Sequence, residues 1–145
     1  MNISAFRKQE NEWGQAKVPF LFMVDFEMEN PFVMRLTDIN PSHILFDING
    51  VTNAPVISTP EEIKIRSRSP ISLDAYREKF NSVYHHLCYG DSYLTNLTIK
   101  TEIQISDTLR NLFYLSKAKY KLLVEDSFLV FSPEIFIQIQ DDRIF

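Results

Sequence analysis

Between Pro19 and Glu27 the chain alternates with a period of two. Phe20, Phe22, Val24 and Phe26 fall on one face, and Leu21, Met23 and Asp25 on the other. Successive side chains of a strand point to opposite faces, so the pattern predicts a strand, and two largely apolar faces predict a central one. Upstream, Ser4 to Trp13 predicts a short helix with Ile3, Phe6 and Trp13 near one face and Gly14 as its end. Asn30-Pro31 marks a turn. His43 to Ile48 predicts a second strand, with Ile44, Phe46 and Ile48 on its apolar face. Asn49-Gly50 is a hairpin signal, because both turn positions take positive φ. Val51 to Ile57 is then expected to return, limited by Pro55, which has no N–H to donate. Ser58 to Ser72 reads as a connector with a short strand-like core, Ile63 to Arg66.

The second half opens with a helical period. Ser72 suits an N-cap, Tyr76, Phe80, Val83 and Leu87 form one apolar stripe, and Gly90 suits a left-handed C-terminal closure. Tyr93 to Ile105 then alternates as a long strand: Tyr93, Thr95, Leu97, Ile99 and Thr101 on one face, Leu94, Asn96, Thr98, Lys100 and Glu102 on the other. Ser106-Asp107 is expected to cap another helix, with Leu109, Leu112, Phe113 and Ser116 facing inward and Lys117 and Lys119 at its negative end. Strands Tyr120–Val124 and Phe128–Phe131 follow. Phe136, Ile137 and Ile139 predict one more, turned at Asp141-Asp142 and returning from Arg143. The fold class expected is α+β, mostly antiparallel sheet with packed helices. Two regions are expected: a strand-rich layer with its connector over 1–72, and a second domain beginning at 73 and running to 145.

Composition narrows the function. The 145 residues suit one ordinary domain, 45% apolar and 23% charged, with 12 Phe and only 3 Gly. Net charge is −4, which disfavours a nucleic-acid binder, and Lys64-Ile-Arg66-Ser-Arg68 has the period of a solvated strand face. Cys88 is the single cysteine, the N-terminus has no signal-type apolar core, and the longest apolar run, Val18 to Val24, is far short of a membrane span. These features lead to the expectation of a cytoplasmic protein that engages neither nucleic acid nor membrane.

Candidate chemistry is sparse. His85, His86 and Cys88 invite a zinc reading, but a structural site needs four ligands and only His43 remains elsewhere. Three glycines build no phosphate loop, and no serine or cysteine nucleophile motif occurs. The pairs Glu61-Glu62 and Asp141-Asp142 lack a third ligand in register for a hard cation. Asn96 and Thr98 share a face and could line a polar pocket, or a solvated sheet surface. Ser132-Pro133-Glu134 matches one helical turn, with a capping serine, proline at the first position and an acid at the positive end of the dipole.

Taken together, Gly90-Asp91-Ser92-Tyr93-Leu94-Thr95-Asn96-Leu97-Thr98 and Ser132-Pro133-Glu134-Ile135-Phe136 resemble the chorismate-utilising enzymes, and within them aminodeoxychorismate synthase component I. The family pattern runs Gly-Asp-x-Tyr-Gln-Val-Asn-Leu-(Thr/Ser); Leu94 and Thr95 replace the common Gln-Val. Pro19 to Phe26 also looks like the opening of short bacterial forms. The resemblance implies a Mg²⁺-dependent enzyme that takes ammonia from a glutamine amidotransferase, component II. It would exchange the chorismate 4-hydroxyl for an amine on the route to 4-aminobenzoate and folate. It implies a catalytic Glu134 and a pocket near Tyr93, Asn96, Thr98 and Ser132, with no metal ligand in this chain. The family's Pro-Ile-Lys-Gly-Thr motif and its Mg²⁺-binding glutamates have no counterpart here, so the chain is expected to be the N-terminal portion of that two-sheet enzyme, inactive alone, with open sheet edges prone to self-association. Anthranilate, isochorismate and salicylate synthases are alternatives within the family. A non-catalytic module for an aromatic ligand or for assembly is the alternative of another class.

Overall fold

The computed structural model describes residues 1–58, 62–132, 135, 137–140 and 143–144, with the backbone alone at Gln140. In chain order the elements are α1 (Ile3–Gln15), β1 (Phe20–Met23), β2 (Phe32–Arg35), a 3-10 turn (Leu36–Asp38), β3 (Ile44–Ile48), β4 (Val51–Thr52), β5 (Ile65–Ser69), α2 (Leu73–Tyr89), β6 (Glu102–Ile105), α3 (Leu109–Leu115), β7 (Tyr120–Val124), β8 (Phe128–Ser132), β9 (Ile139–Gln140) and β10 (Arg143–Ile144). Every strand pair among the described residues is antiparallel, and the fold is α+β as expected. The chain divides into two compact units, Met1–Thr59 with Leu109–Phe145, and Pro60–Thr108. The boundary suggested by sequence at residue 72 falls inside the second unit, between β5 and α2.

The first unit is built on a four-stranded sheet in the order β4-β3-β7-β8. β3 and β7 pair with Leu45 opposite Leu123 and Phe46 opposite Leu122. Strand alternation therefore sends Leu45 and Leu123 to one face and Phe46 and Leu122 to the other. On the first face they enclose Phe113 of α3, with Ala54, Tyr114 and Leu129 alongside. On the second, Phe46 packs with Leu21 of β1 and with Ile39, flanked by Met34, Leu36, Ile44 and Leu122. Both faces are covered, which is why Ile44-Leu45-Phe46 and Leu122-Leu123-Val124 read as unbroken apolar runs.

The Asn49-Gly50 hairpin forms with φ of 51° and 88°, as its sequence dictates. β4 then stops after Thr52, well short of Ile57. The next residue extends the ladder with its side chain instead: Asn53 Nδ2 donates to the Ile44 carbonyl at 2.8 Å, and its Oδ1 accepts from the Phe46 N–H at 2.9 Å. Asn53→Ala would leave two partly buried backbone groups unpaired, at about 1–3 kcal/mol each. The expected result is a lower urea midpoint at unchanged slope; an unchanged midpoint would remove Asn53 from the ladder.

β1 is shorter than the strand predicted over Pro19 to Glu27, and it pairs with β2 alone rather than lying centrally. Asp25 ends it. Its Oδ1 accepts from the Asn30 N–H at 3.0 Å and its Oδ2 from Asn30 Nδ2 at 2.8 Å, while Met28 adopts φ 56°. A local carboxylate–amide turn satisfies the backbone where a strand would need a partner. The Asn30 hydrogen bonds, backbone first and side chain second, hold the Asp25 carboxyl below its ordinary range. A depressed folded pKa contributes stability above the ordinary aspartate value and loses it as pH falls through the folded value. Asn30→Ala should therefore move the Asp25 titration upward in an NMR pH series.

α1 starts at an Asn2 cap, whose Oδ1 accepts from the Ala5 N–H at 2.9 Å, and runs through Gly14 to Gln15 instead of ending there. Phe6 is its buried residue. β9 and β10 pair antiparallel in a two-stranded sheet, Ile139 opposite Ile144. Phe136, placed at the start of this strand by sequence, and the Asp141-Asp142 turn lie outside the described residues.

In the second unit β5 pairs with β6, Ser69 opposite Glu102. The strand core expected at Ile63–Arg66 is displaced to Ile65–Ser69. α2 is capped at both ends as predicted: Ser72 Oγ accepts from the Ala75 N–H at 3.2 Å, and Gly90 adopts φ 93°. The long strand expected over Tyr93 to Ile105 is reduced to Glu102–Ile105. The register gives the reason. Position 70 would face position 101, and Pro70 has no N–H with which to continue the ladder. Tyr93 is consequently 100% exposed. Ser106 Oγ accepts from the Lys64 N–H at 2.9 Å, tying the end of β6 to the start of β5. The apolar stripe on α2 forms but is not buried: no residue described in this unit is.

Candidate functional site

α2 and the segment after it create a cavity of about 480 Å³ within the second unit. Helical spacing puts Lys79, Ser82 and Val83 on one side of α2, at i, i+3 and i+4. Thr98, Ile99 and Lys100 form the facing wall. Ser67, Ser69, Glu102 and Gln104 line an adjoining polar cavity of about 450 Å³, into whose wall Lys100 also enters. Among the described residues neither Lys79 nor Lys100 is in an ion pair. Two unneutralised ammonium groups, two hydroxyls and apolar side chains suit an organic anion with a hydrophobic body.

The Gly-Asp passage that leads to this wall is held locally. Gly90 N–H donates to the His86 and Leu87 carbonyls at 3.1 and 3.2 Å, and Asp91 N–H donates to the His86 carbonyl at 3.1 Å. His86 Nδ1 lies 2.6 Å from Asp91 Oδ2. These bonds satisfy the last helical carbonyls and set the direction in which the chain leaves α2.

Of the residues singled out from sequence, Thr98 lines the cavity of the second unit. Asn96 is exposed and Tyr93 fully so; neither lines it. Ser132 lines a different cavity, of about 330 Å³, in the first unit with Ile48, Tyr120, Val130 and Ile135. Glu134 and Pro133 lie outside the described residues. Tyr93, Asn96 and Thr98 thus do not share the cavity of the second unit, because the strand that would have carried them together does not form. Sequence reasoning passed over Lys79 and Lys100. The signal was present: Lys100 shares the alternation of Asn96 and Thr98, and Lys79 precedes Val83 of the helical stripe by four residues.

His85, His86 and Cys88 do not converge on a site; among the described residues no three His, Cys, Asp or Glu side chains do. Cys88 is exposed, and its hydrogen bond and charge push the Tyr84 hydroxyl above its ordinary pKa. No described helix is long and apolar enough to cross a membrane.

The structure therefore defines an α+β protein with a basic, hydroxyl-lined cavity beside a Gly-Asp helix exit. The sequence is similar over nearly its whole length to PabA-like proteins. An uncharacterized PabA-like protein of Haemophilus influenzae is 37% identical over 140 residues, 97% of this chain and 42% of the relative. A second, from Pasteurella multocida, is 36% identical over 146 residues, 100% of this chain and 45% of the relative. The chain spans less than half the length of these curated relatives. No family model matches it, and no solved structure does.

Proposed function

We propose that the chain is the N-terminal portion of an aminodeoxychorismate synthase component I. In that reading the complete protein replaces the 4-hydroxyl of chorismate by an amine, with Mg²⁺ and with ammonia from a glutamine amidotransferase. The observation that carries it is the spaced pair of motifs: Gly90-Asp91 through Thr98 at the exit of a helix capped by Ser72 and Gly90, then Ser132-Pro133-Glu134. The PabA-like label of the relatives supports a link to 4-aminobenzoate formation. PabA itself denotes the amidotransferase component, but this chain's residues favour the other one. Glutamine hydrolysis of that kind uses an activated cysteine. Cys88, the only cysteine, is exposed in the last turn of α2 with the Tyr84 hydroxyl as its hydrogen-bond partner. Chorismate carries two carboxylates, one on its cyclohexadiene ring and one on the enolpyruvyl ether, which fits the Lys79–Lys100 cavity in charge. Glu134 is assigned acid–base assistance to loss of the hydroxyl by resemblance.

The test is product analysis of the Haemophilus relative with chorismate, Mg²⁺ and ammonium. The expected product is 4-amino-4-deoxychorismate, and this chain by itself should form it at no enzyme-like rate. Anthranilate, isochorismate or salicylate as product would replace the reading with a sister activity. Glutaminase activity of this chain would replace it with the amidotransferase.

The 330 Å³ cavity favours a second reading, a module that holds an aromatic ligand. It is walled by Ile48, Tyr120, Leu122, Val130, Ser132 and Ile135. Calorimetry with tryptophan, set against chorismate plus Mg²⁺, separates the two: heat with tryptophan alone supports the module.

A further inference from the structure

We propose that the aromatic face of α2 is a docking surface for the polypeptide that, in the PabA-like relatives, lies outside the segment matched by this chain. Tyr76, Phe80 and Tyr84 recur every four residues. Their rings stack along the helix with centroids 6.2 and 6.3 Å apart and interplanar angles of 26° and 11°. They remain 41%, 48% and 59% exposed. α2 is a 17-residue helix that buries none of its residues. Helices in proteins owe most of their stability to packing of an amphipathic face, and contiguous exposed aromatic patches mark interfaces. The Asp74–Arg77 ion pair beside the stripe supplies the polar rim common to such surfaces.

The choice of partner follows from what the second unit lacks. It has no buried residue among those described, so it needs a core. A second copy would bring another coreless face of the same kind. More than half of each relative has no counterpart in this chain, and that body is large enough to bring a core of its own. The length of the relatives and the exposed aromatic face point to this partner whatever reaction the complete protein performs.

The experiment co-expresses this chain with an affinity-tagged polypeptide comprising the residues of the Haemophilus relative outside its matched segment. The chain should be retained with the tag. Amide exchange over 73–89 should slow about tenfold or more relative to the chain alone, the ratio that each 1.4 kcal/mol of added local protection gives. Phe80→Glu and Tyr84→Glu should each abolish retention while far-UV circular dichroism keeps its helical signal, since both side chains are already half-exposed. Three results overturn the proposal: a soluble chain recovered without its partner, retention indifferent to both substitutions, or a dimer of the chain alone that Phe80→Glu dissociates. Failure here leaves the product assay untouched, and failure of that assay leaves this one standing.

Discussion

Replacing Phe113 by alanine should cost about 3–5 kcal/mol of stability, the usual range for deleting a buried aromatic ring. Phe113 is 1% exposed and fills the space between Leu45 of β3 and Leu123 of β7. Its ring also meets Tyr114 edge-on at 5.5 Å and lies 4.6 Å from Lys121 Nζ. The hole left behind would be bounded by two strands paired through their whole register, which cannot collapse inward without breaking the ladder. Domains are stable by only about 5–15 kcal/mol, so the loss is a large share of the total. Urea unfolding should show a much lower midpoint, while Phe113→Leu, which keeps most of the volume, should lose clearly less. A cost below about 1 kcal/mol for the alanine variant would mean that α3 does not close this core.

Lys121 is the second site of large effect. It points toward the same face as Leu123, where alternation would place an apolar residue, and is 9% exposed. Its Nζ donates to the Phe113 and Ser116 carbonyls, both at 3.1 Å. The last carbonyls of a helix have no partner within it, so this ammonium closes the end of α3. Asp47, opposite in register on β3, places a carboxylate oxygen 3.8 Å away. Lys121→Ala should leave two poorly solvated acceptors unpaired at about 1–3 kcal/mol each. Lys121→Met keeps the aliphatic stem and should recover only the packing part of that loss. The wild-type contribution should change little with added salt, because a buried group is screened far less than a surface pair. A strong salt dependence would recast Lys121 as a surface ion-pair residue.

Arg110 shows the same logic at the other end of α3. Its Nη2 donates to the Pro41 and Ser42 carbonyls, and with Nε to Glu125 Oε2, joining the helix start to the loop before β3 and to the β7–β8 turn. No periodicity announces such a residue. A charged side chain in a helical pattern is read as solvated until the strands that surround it are known.

Legibility follows the range of the interaction. The Asn49-Gly50 turn and the Ser72 and Gly90 caps are written in two or three neighbouring residues, and each formed as its chemistry requires. The alternating segments were the opposite case. Pro19 to Glu27 and Tyr93 to Ile105 both carry the period of a strand, yet a strand exists only where another backbone pairs with it. Asp25 with Asn30 supplies a local substitute in the first, and Pro70 withholds the partner in the second. The candidate site was legible in the same uneven way. Thr98 was picked from its face, while Lys79 and Lys100 came into view only when the helix and the segment after it shared a cavity.

Sequence by itself determined the α+β class, the turn and cap positions and the apolar segments that became the core strands. Each of these depends on bonds or periodicities spanning a few residues. Only the tertiary structure decided which alternating segments became strands, that a lysine closes a helix inside the core, that Ser132 and Thr98 line separate cavities, and that the aromatic stripe of α2 stays in solvent. Those outcomes depend on what distant backbone is available to cover or pair each surface, and no local pattern records that.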